Sequence, residues 1–303
     1  MPFLHIVGIP GGAGPFDWSA WIHPDVLIII LALLGAYICA LRYLRPRISD
    51  AGRVKRAQVG LFLLGLFALY LADSSPLERL SEGWLASAHM MQHVAFTTIA
   101  APLLLAGVPS WLWQWLLPQG PVRGLARWLV HPIVALFVFN GVLLFTHLPP
   151  SIELQVQQGW YHILVHALLL LAGLVLWWPV LSNMPELPPI SYPMQMAYLF
   201  AQSLIPSVLA SFLTFSDRLI YPIYGESPRI WERLDPITDQ QVGGLVMKLV
   251  PAIIMWAFIA VAFFRWYAQH EAQERGPRWE EVEAELQRLG LTRRSDKGPS
   301  PSR

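Results

Sequence analysis

Long runs of apolar residues alternate along this chain with short stretches that collect proline, glycine and charge. A bilayer core takes about 20 mostly apolar residues per helix. Seven segments meet that requirement, at about 25–43, 57–73, 85–106, 131–148, 160–181, 193–215 and 240–266, the second being the weakest. Pro109, Pro118 and Pro121, then Pro149 and Pro150, then Pro185, Pro188 and Pro189 fall between segments and predict loops there. Pro102, Pro206 and Pro251 fall inside segments and predict kinks there. The pattern predicts an all-α integral membrane bundle of seven transmembrane helices. It divides the chain into an N-terminal arm over 1–24, a membrane domain over 25–268 and a charged tail over 269–303.

Composition agrees: 55% of residues are hydrophobic and 14% charged, with a mean hydropathy of +0.45. These values exclude an ordinary soluble domain. Many of the tryptophans, including Trp21, Trp84, Trp128, Trp160 and Trp178, sit near span ends as interfacial belts require. The net charge of +1 says little about partners, and nothing in the chain resembles a nucleic-acid-binding surface.

Where the charges lie is more informative. Arg42, Arg45, Arg47, Arg53, Lys55 and Arg56 follow the first span, and Arg265 with seven more Lys and Arg follows the last, whereas the loop after the fourth span has no Lys or Arg. By the positive-inside rule the N-terminus is external and the C-terminus cytoplasmic. The loop over 216–239 departs from a clean bias, but its Arg218, Arg229 and Arg233 are balanced by Asp217, Glu226, Glu232 and Asp235. The first 23 residues lack the basic opening of a secretory signal and read as a retained external arm. In the tail, Trp279, Val282, Leu286 and Leu289 recur at helical spacing, which predicts a short amphipathic helix on the membrane surface or against a partner.

With this orientation, five of the nine histidines reach one depth. His89 and His93 open the third span, His162 and His166 the fifth, and His147 closes the fourth. Residues i and i+4 share a helix face, so each pair is a two-nitrogen clamp and two facing clamps supply four ligands. The seventh span brings Asp239 to the same level, either to ligate or to serve the first turn of its own helix, where Thr238 and Gln241 have capping-box spacing. Met90, Met91 and Met247 are soft donors suited to Cu(I), or ordinary core residues. The single cysteine, Cys39, rules out an internal disulfide and Cys-based clusters. His131, His5, His23 and His270 lie outside the spans or at the other face and are left out of the site. Lys248, the one strongly charged side chain deep in a span, needs a polar partner, for which Asn140 and Gln202 have the right depth. Ser203, Ser207 and Ser211 form a small-residue stripe for close helix packing.

Several stretches together resemble a known family. Ser74-Ser75-Pro76-Leu77, then His89-Met90-Met91-Gln92-His93, then Ala101-Pro102-Leu103-Leu104-Leu105-Ala106-Gly107-Val108-Pro109 are similar to the signature of the multispan CtaG-type cytochrome c oxidase assembly proteins of bacteria. So are Trp160-Tyr161-His162 through His166 to Trp177-Trp178-Pro179, Leu213-Thr214-Phe215-Ser216 with Tyr221-Pro222, and Asp239-Gln240-Gln241 through Gly243-Gly244-Leu245. The resemblance runs from about residue 20 to 268. It implies a non-enzymatic, multi-pass protein of the bacterial plasma membrane that assists copper delivery to a haem-copper oxidase subunit, with His89, His93, His162, His166 and Asp239 as the functional positions. His147 rests on depth rather than motif. The residues alone leave rivals open: a membrane cytochrome with two of these imidazoles as axial haem ligands, a metal-dependent membrane oxidoreductase, and a scaffold that binds no metal.

Overall fold

The structure, a computed structural model, describes residues 23–48, 52–81, 83–226, 229–231, 233–274 and 279–290. These are helical with no strand among the described residues. Twelve helices are distinguished here: α1 Pro24–Arg47, α2 Arg56–Ser74, α3 Pro76–Ser81, α4 Ala86–Gly107, α5 Ser110–Leu116, α6 Pro121–Leu129, α7 Pro132–Thr146, α8 Pro149–Gln157, α9 Gly159–Leu181, α10 Tyr192–Phe215, α11 Pro236–Glu274 and α12 Trp279–Arg288. Six of them (α1, α2, α4, α9, α10 and α11) are long and apolar enough to cross a membrane.

The fourth expected span differs. Pro132 starts a helix of only 15 residues, α7, about 22 Å long at 1.5 Å per residue and short of the roughly 30 Å hydrocarbon core. It becomes a seventh crossing only together with α6, from which it is bent by 76°. Two prolines expected in loops instead start helices: Pro121 is the first residue of α6 and Pro149 of α8, where the missing N–H costs nothing. The last span starts four residues early and ends eight residues late, at Glu274, so its end reaches into the expected tail. The expected tail helix is present as α12. The arm over 1–22 lies outside the described residues, as do Pro228, Glu232 and residues 291–303.

α4 is the axle of the bundle. Its most apolar window is 72% buried, against 11% for α1, whose Ile28, Ile29 and Leu31 face outward as lipid contacts. Close approach to α4 depends on two glycines. A Cβ on Gly107 would lie 2.5 Å from the Phe62 nitrogen of α2, and one on Gly173 would lie 2.8 Å from Cβ of Ala101 and 3.1 Å from Cα of Thr97. Small residues at such contacts are how membrane helices gain packing in the absence of a hydrophobic drive. The Tyr37 ring stacks on Phe62 at 3.9 Å, and its hydroxyl donates to the Gly107 carbonyl at 3.0 Å, fixing α1 on the same seam.

Pro102 changes the hydrogen-bond register of α4. One turn ahead of it the backbone widens into a π-helical stretch, Ala95–Ala100, in which the Ala101 N–H reaches the Phe96 carbonyl. In that register the next donor would be Pro102, which has none. The Thr97 carbonyl it leaves free is taken by the Trp177 indole N–H of α9 at 2.9 Å. The break thus ties α4 to α9 directly below the histidines.

Lys248 does not pair with Asn140 or Gln202. Those two bond to each other, Asn140 Nδ2 to Gln202 Oε1 at 2.8 Å, and Lys248 Nζ instead donates to Ser211 Oγ at 3.3 Å beside the Phe215 ring. Ser207 and Ser211 bond back to carbonyls of their own helix.

Candidate metal centre

All five expected histidines converge at one end of the bundle. His89 and His93 lie in the first turns of α4, His162 and His166 in those of α9, and His147 just past the end of α7; all are buried. Their rings form one continuous cluster, with centroids 4.3 Å apart for His89–His93, 4.1 Å for His162–His166, 5.7 Å for His89–His162, 5.6 Å for His93–His166 and 4.9 Å for His93–His147.

Hydrogen bonds fix which nitrogen of each ring carries the proton. His147 Nδ1 faces the Leu143 carbonyl at 2.7 Å and must donate to it. His147 Nε2 is then a lone pair, and His93 Nδ1, 3.2 Å away, donates to it. That leaves His93 Nε2 as a lone pair in its turn. His162 Nδ1 donates to the Gln155 carbonyl at 3.3 Å, and His166 Nδ1 to Asp73 Oδ1 at 2.9 Å. Three rings, those of His93, His162 and His166, are therefore held by Nδ1 with Nε2 projecting beyond. Among the described residues, Nε2 of His93, His162 and His166 and both nitrogens of His89 are buried without a hydrogen-bond partner of normal geometry, the His89 ring facing the Ser81 backbone. A buried imidazole left unpaired is costly. Anchoring through one nitrogen with the other free is how proteins present histidine to a metal.

Asp73 is a candidate ligand that the sequence reading did not name. Asp73, His162 and His166 are three potential ligands whose donor atoms all lie within 4.8 Å of one another. Asp73 also accepts from Gln92 Nε2 at 3.2 Å, so α4 helps to aim it. One signal for it was available: a carboxylate in the last turn of a helix sits at the negative end of the dipole and calls for a positive partner.

Asp239 is placed differently. Its Oδ2 accepts the Ala86 N–H at 2.7 Å, and its Oδ1 accepts both the Ser87 N–H at 3.2 Å and the Ser87 hydroxyl. It caps α4 from another helix and docks α11 there. The cap of α11 itself is Asp235 rather than Thr238: Oδ1 of Asp235 accepts from the N–H groups of Ile237 and Thr238 at 3.0 and 3.1 Å. The Thr238 amide and hydroxyl hold the Asp235 carboxyl below its usual range.

Two tyrosines from the segment after α10 close the cluster from outside. Tyr224 lies 6.3 Å from the His89 ring and donates to the Ser81 carbonyl, and Tyr221 donates to the His147 carbonyl at 2.9 Å. Burial pushes both phenols well above their usual value, so they act as protonated donors and not as phenolate ligands. His23, left out of the site on sequence grounds, is in fact buried; it pairs with Glu78 at 3.0 Å, and its backbone N–H donates to Ser74 Oγ. Met90 is a core residue packed near Gly243, Met247 borders a small cavity beside His93 and His147, and Met91 is partly exposed.

Comparison with known proteins gives one match. The model of the cytochrome c oxidase caa3 assembly factor family (Caa3_CtaG) matches residues 35–269, a range that spans every helix contributing to the cluster. No curated protein and no solved structure matches the chain significantly.

Proposed function

The chain belongs to the cytochrome c oxidase caa3 assembly factor family, and on that premise we propose that it holds copper at the histidine cluster as cargo for a haem-copper oxidase subunit. The observation that carries this reading is the set of anchored imidazoles with bare Nε2 atoms beside a carboxylate. His162 and His166 with Asp73 are the first holding group; His93 and His89 extend it. Asp73 orients His166 and offsets the charge of the ion, while His147 does the same orienting work for His93. The copper ion supplies only its own affinity for imidazole and carboxylate; no bond of the protein is made or broken. Incomplete ligation suits a cargo site, because a closed four-ligand site retains its ion.

The same rings weigh against haem. A macrocycle would have to fit between imidazoles that already meet edge to face at 5.6 Å or less for His93–His166, His89–His93 and His162–His166. The charge pattern supports an external N-terminus in a bacterial plasma membrane, which puts the cluster in the outer leaflet, on the side where an oxidase copper site would be filled.

The test is a genomic His162→Gln, His166→Gln exchange in cells whose aerobic growth depends on the oxidase. The expected result is oxidase that lacks copper and activity, with the chain present in the membrane at its normal level. Unchanged oxidase copper would overturn the proposal and leave a scaffold role.

A further inference from the structure

α8 and the segment over 220–226 both abut the histidine cluster, and each is tied to it by its inner side. The Gln155 carbonyl of α8 accepts from His162 Nδ1 at 3.3 Å, and the Tyr221 hydroxyl donates to the His147 carbonyl at 2.9 Å. Helical periodicity turns Ser151, Ile152, Gln155 and Val156 inward, where all four are buried, and leaves Glu153 and Gln157 on another face. The outer sides of the two elements bound one pocket of ≈ 290 Å³, with Pro150, Glu153 and Gln157 on the α8 side and Pro222, Ile223 and Glu226 on the other. Tyr221 lines this pocket and also bonds to His147, so one residue links pocket and cluster.

Size and charge select the occupant. The pocket is about ten times the ~30 Å³ that a water molecule takes in the liquid, too wide for a bare ion and at the low end of the range, roughly 300 Å³ upward, that takes organic groups. A long side chain with its neighbour fills it. Prolines and Ile223 make much of the wall apolar, and among the described residues its two charged members are both carboxylates, Glu153 and Glu226. Both are exposed, and Glu153 accepts a neutral amide, Gln157 Nε2, at 3.0 Å. Arg229, the base closest to Glu226 in sequence, is directed to the Tyr224 carbonyl.

We propose that this pocket is where a basic segment of the oxidase subunit docks, its lysine or arginine meeting Glu153 and Glu226 while the methylene stem and an apolar neighbour lie on Pro222 and Ile223. The identity of the partner rests on the assembly reading given above; the pocket adds the surface and the chemistry by which that partner is recognised. Charges at a rim steer and orient an encounter more than they add affinity, which suits a contact that must release once the cargo has passed. A chain seated here lies against Tyr221 and α8, the supports of His147 and His162, and so stands at the cover of the cluster.

The test is photo-crosslinking of the full-length chain in living cells, with p-benzoylphenylalanine in place of Leu154, which is exposed next to Glu153 but is not part of the pocket wall. Illumination should join the chain to an oxidase subunit, identified by an antibody against that subunit. Glu153→Lys, Glu226→Lys should reduce the adduct about tenfold, while copper per purified chain stays at the wild-type level. Should that variant fail to accumulate, Glu153→Gln, Glu226→Gln decides, with a reduction of about threefold. No oxidase adduct, or one that survives charge reversal at full strength, would overturn the docking site. Copper lost from the charge-reversed chain with the adduct intact would also overturn it and make the pocket a passage for the ion. The adduct should persist in the His162→Gln, His166→Gln chain. Its persistence alongside a wild type that binds no copper would sink the cargo reading and leave the docking site standing.

Discussion

Asp73 and Asp239 are two carboxylates at the same end of one bundle, both touching α4, and their surroundings give them opposite work. Asp239 meets two backbone N–H groups and a hydroxyl, so its charge is spent on the open end of a helix. Asp73 sits at the wrong end of its own helix for an anion and meets an imidazole and an amide, with bare ring nitrogens just beyond. A carboxylate satisfied by backbone donors holds the fold. One that is satisfied by histidine, in a helix position its dipole disfavours, is placed to orient that ring. The two should separate cleanly under substitution.

The largest effect belongs to Asp239→Ala. It strips the acceptor from the buried Ala86 N–H and from two part-buried donors of Ser87, and unfolding in detergent should show a loss of about 3 kcal/mol, while copper bound per folded chain stays at the wild-type level. Copper loss without destabilisation would make Asp239 a ligand and erase the contrast. Asp73→Asn should do the reverse: copper affinity, read by chelator competition, falls about 10- to 100-fold, with the unfolding midpoint close to wild type. Smaller effects sharpen the same division. Ser87→Ala, on the Asp239 side, should cost about 1 kcal/mol in stability and leave copper affinity alone. Gln92→Met, on the Asp73 side, removes one of the donors that aim the carboxylate and should weaken copper about threefold.

Much of this was legible in the sequence because it is local. The apolar runs place six of the long helices, and the i, i+4 spacing places both histidine pairs on their inner faces. What the sequence hid depends on contacts between distant segments. Asp239 lies in the first turn of α11 and reads naturally as serving that helix; its true partners, Ala86 and Ser87, are some 150 residues away. Asp73 ends the weakest of the apolar runs, and only the approach of α9 sets His166 against it. Asn140 and Gln202 had the right depth for Lys248, but depth does not fix rotation about a helix, and they face each other. The short α7 escaped notice because hydropathy counts apolar residues without seeing that the helix stops at Thr146 and that the chain before it turns by 76° between Leu129 and Pro132. His23 looked external because it precedes the first apolar span, although Ser74 of α2 and Glu78 of α3 both bond to it.

The most direct test of the central claim is elemental analysis of metal per chain in protein purified anaerobically, comparing wild type with the His162→Gln, His166→Gln variant. The account predicts copper near one or more ions per chain in the wild type and a clear loss in the variant at equal fold stability. Equal copper in the two, or none in the wild type after growth with ample copper, would contradict it.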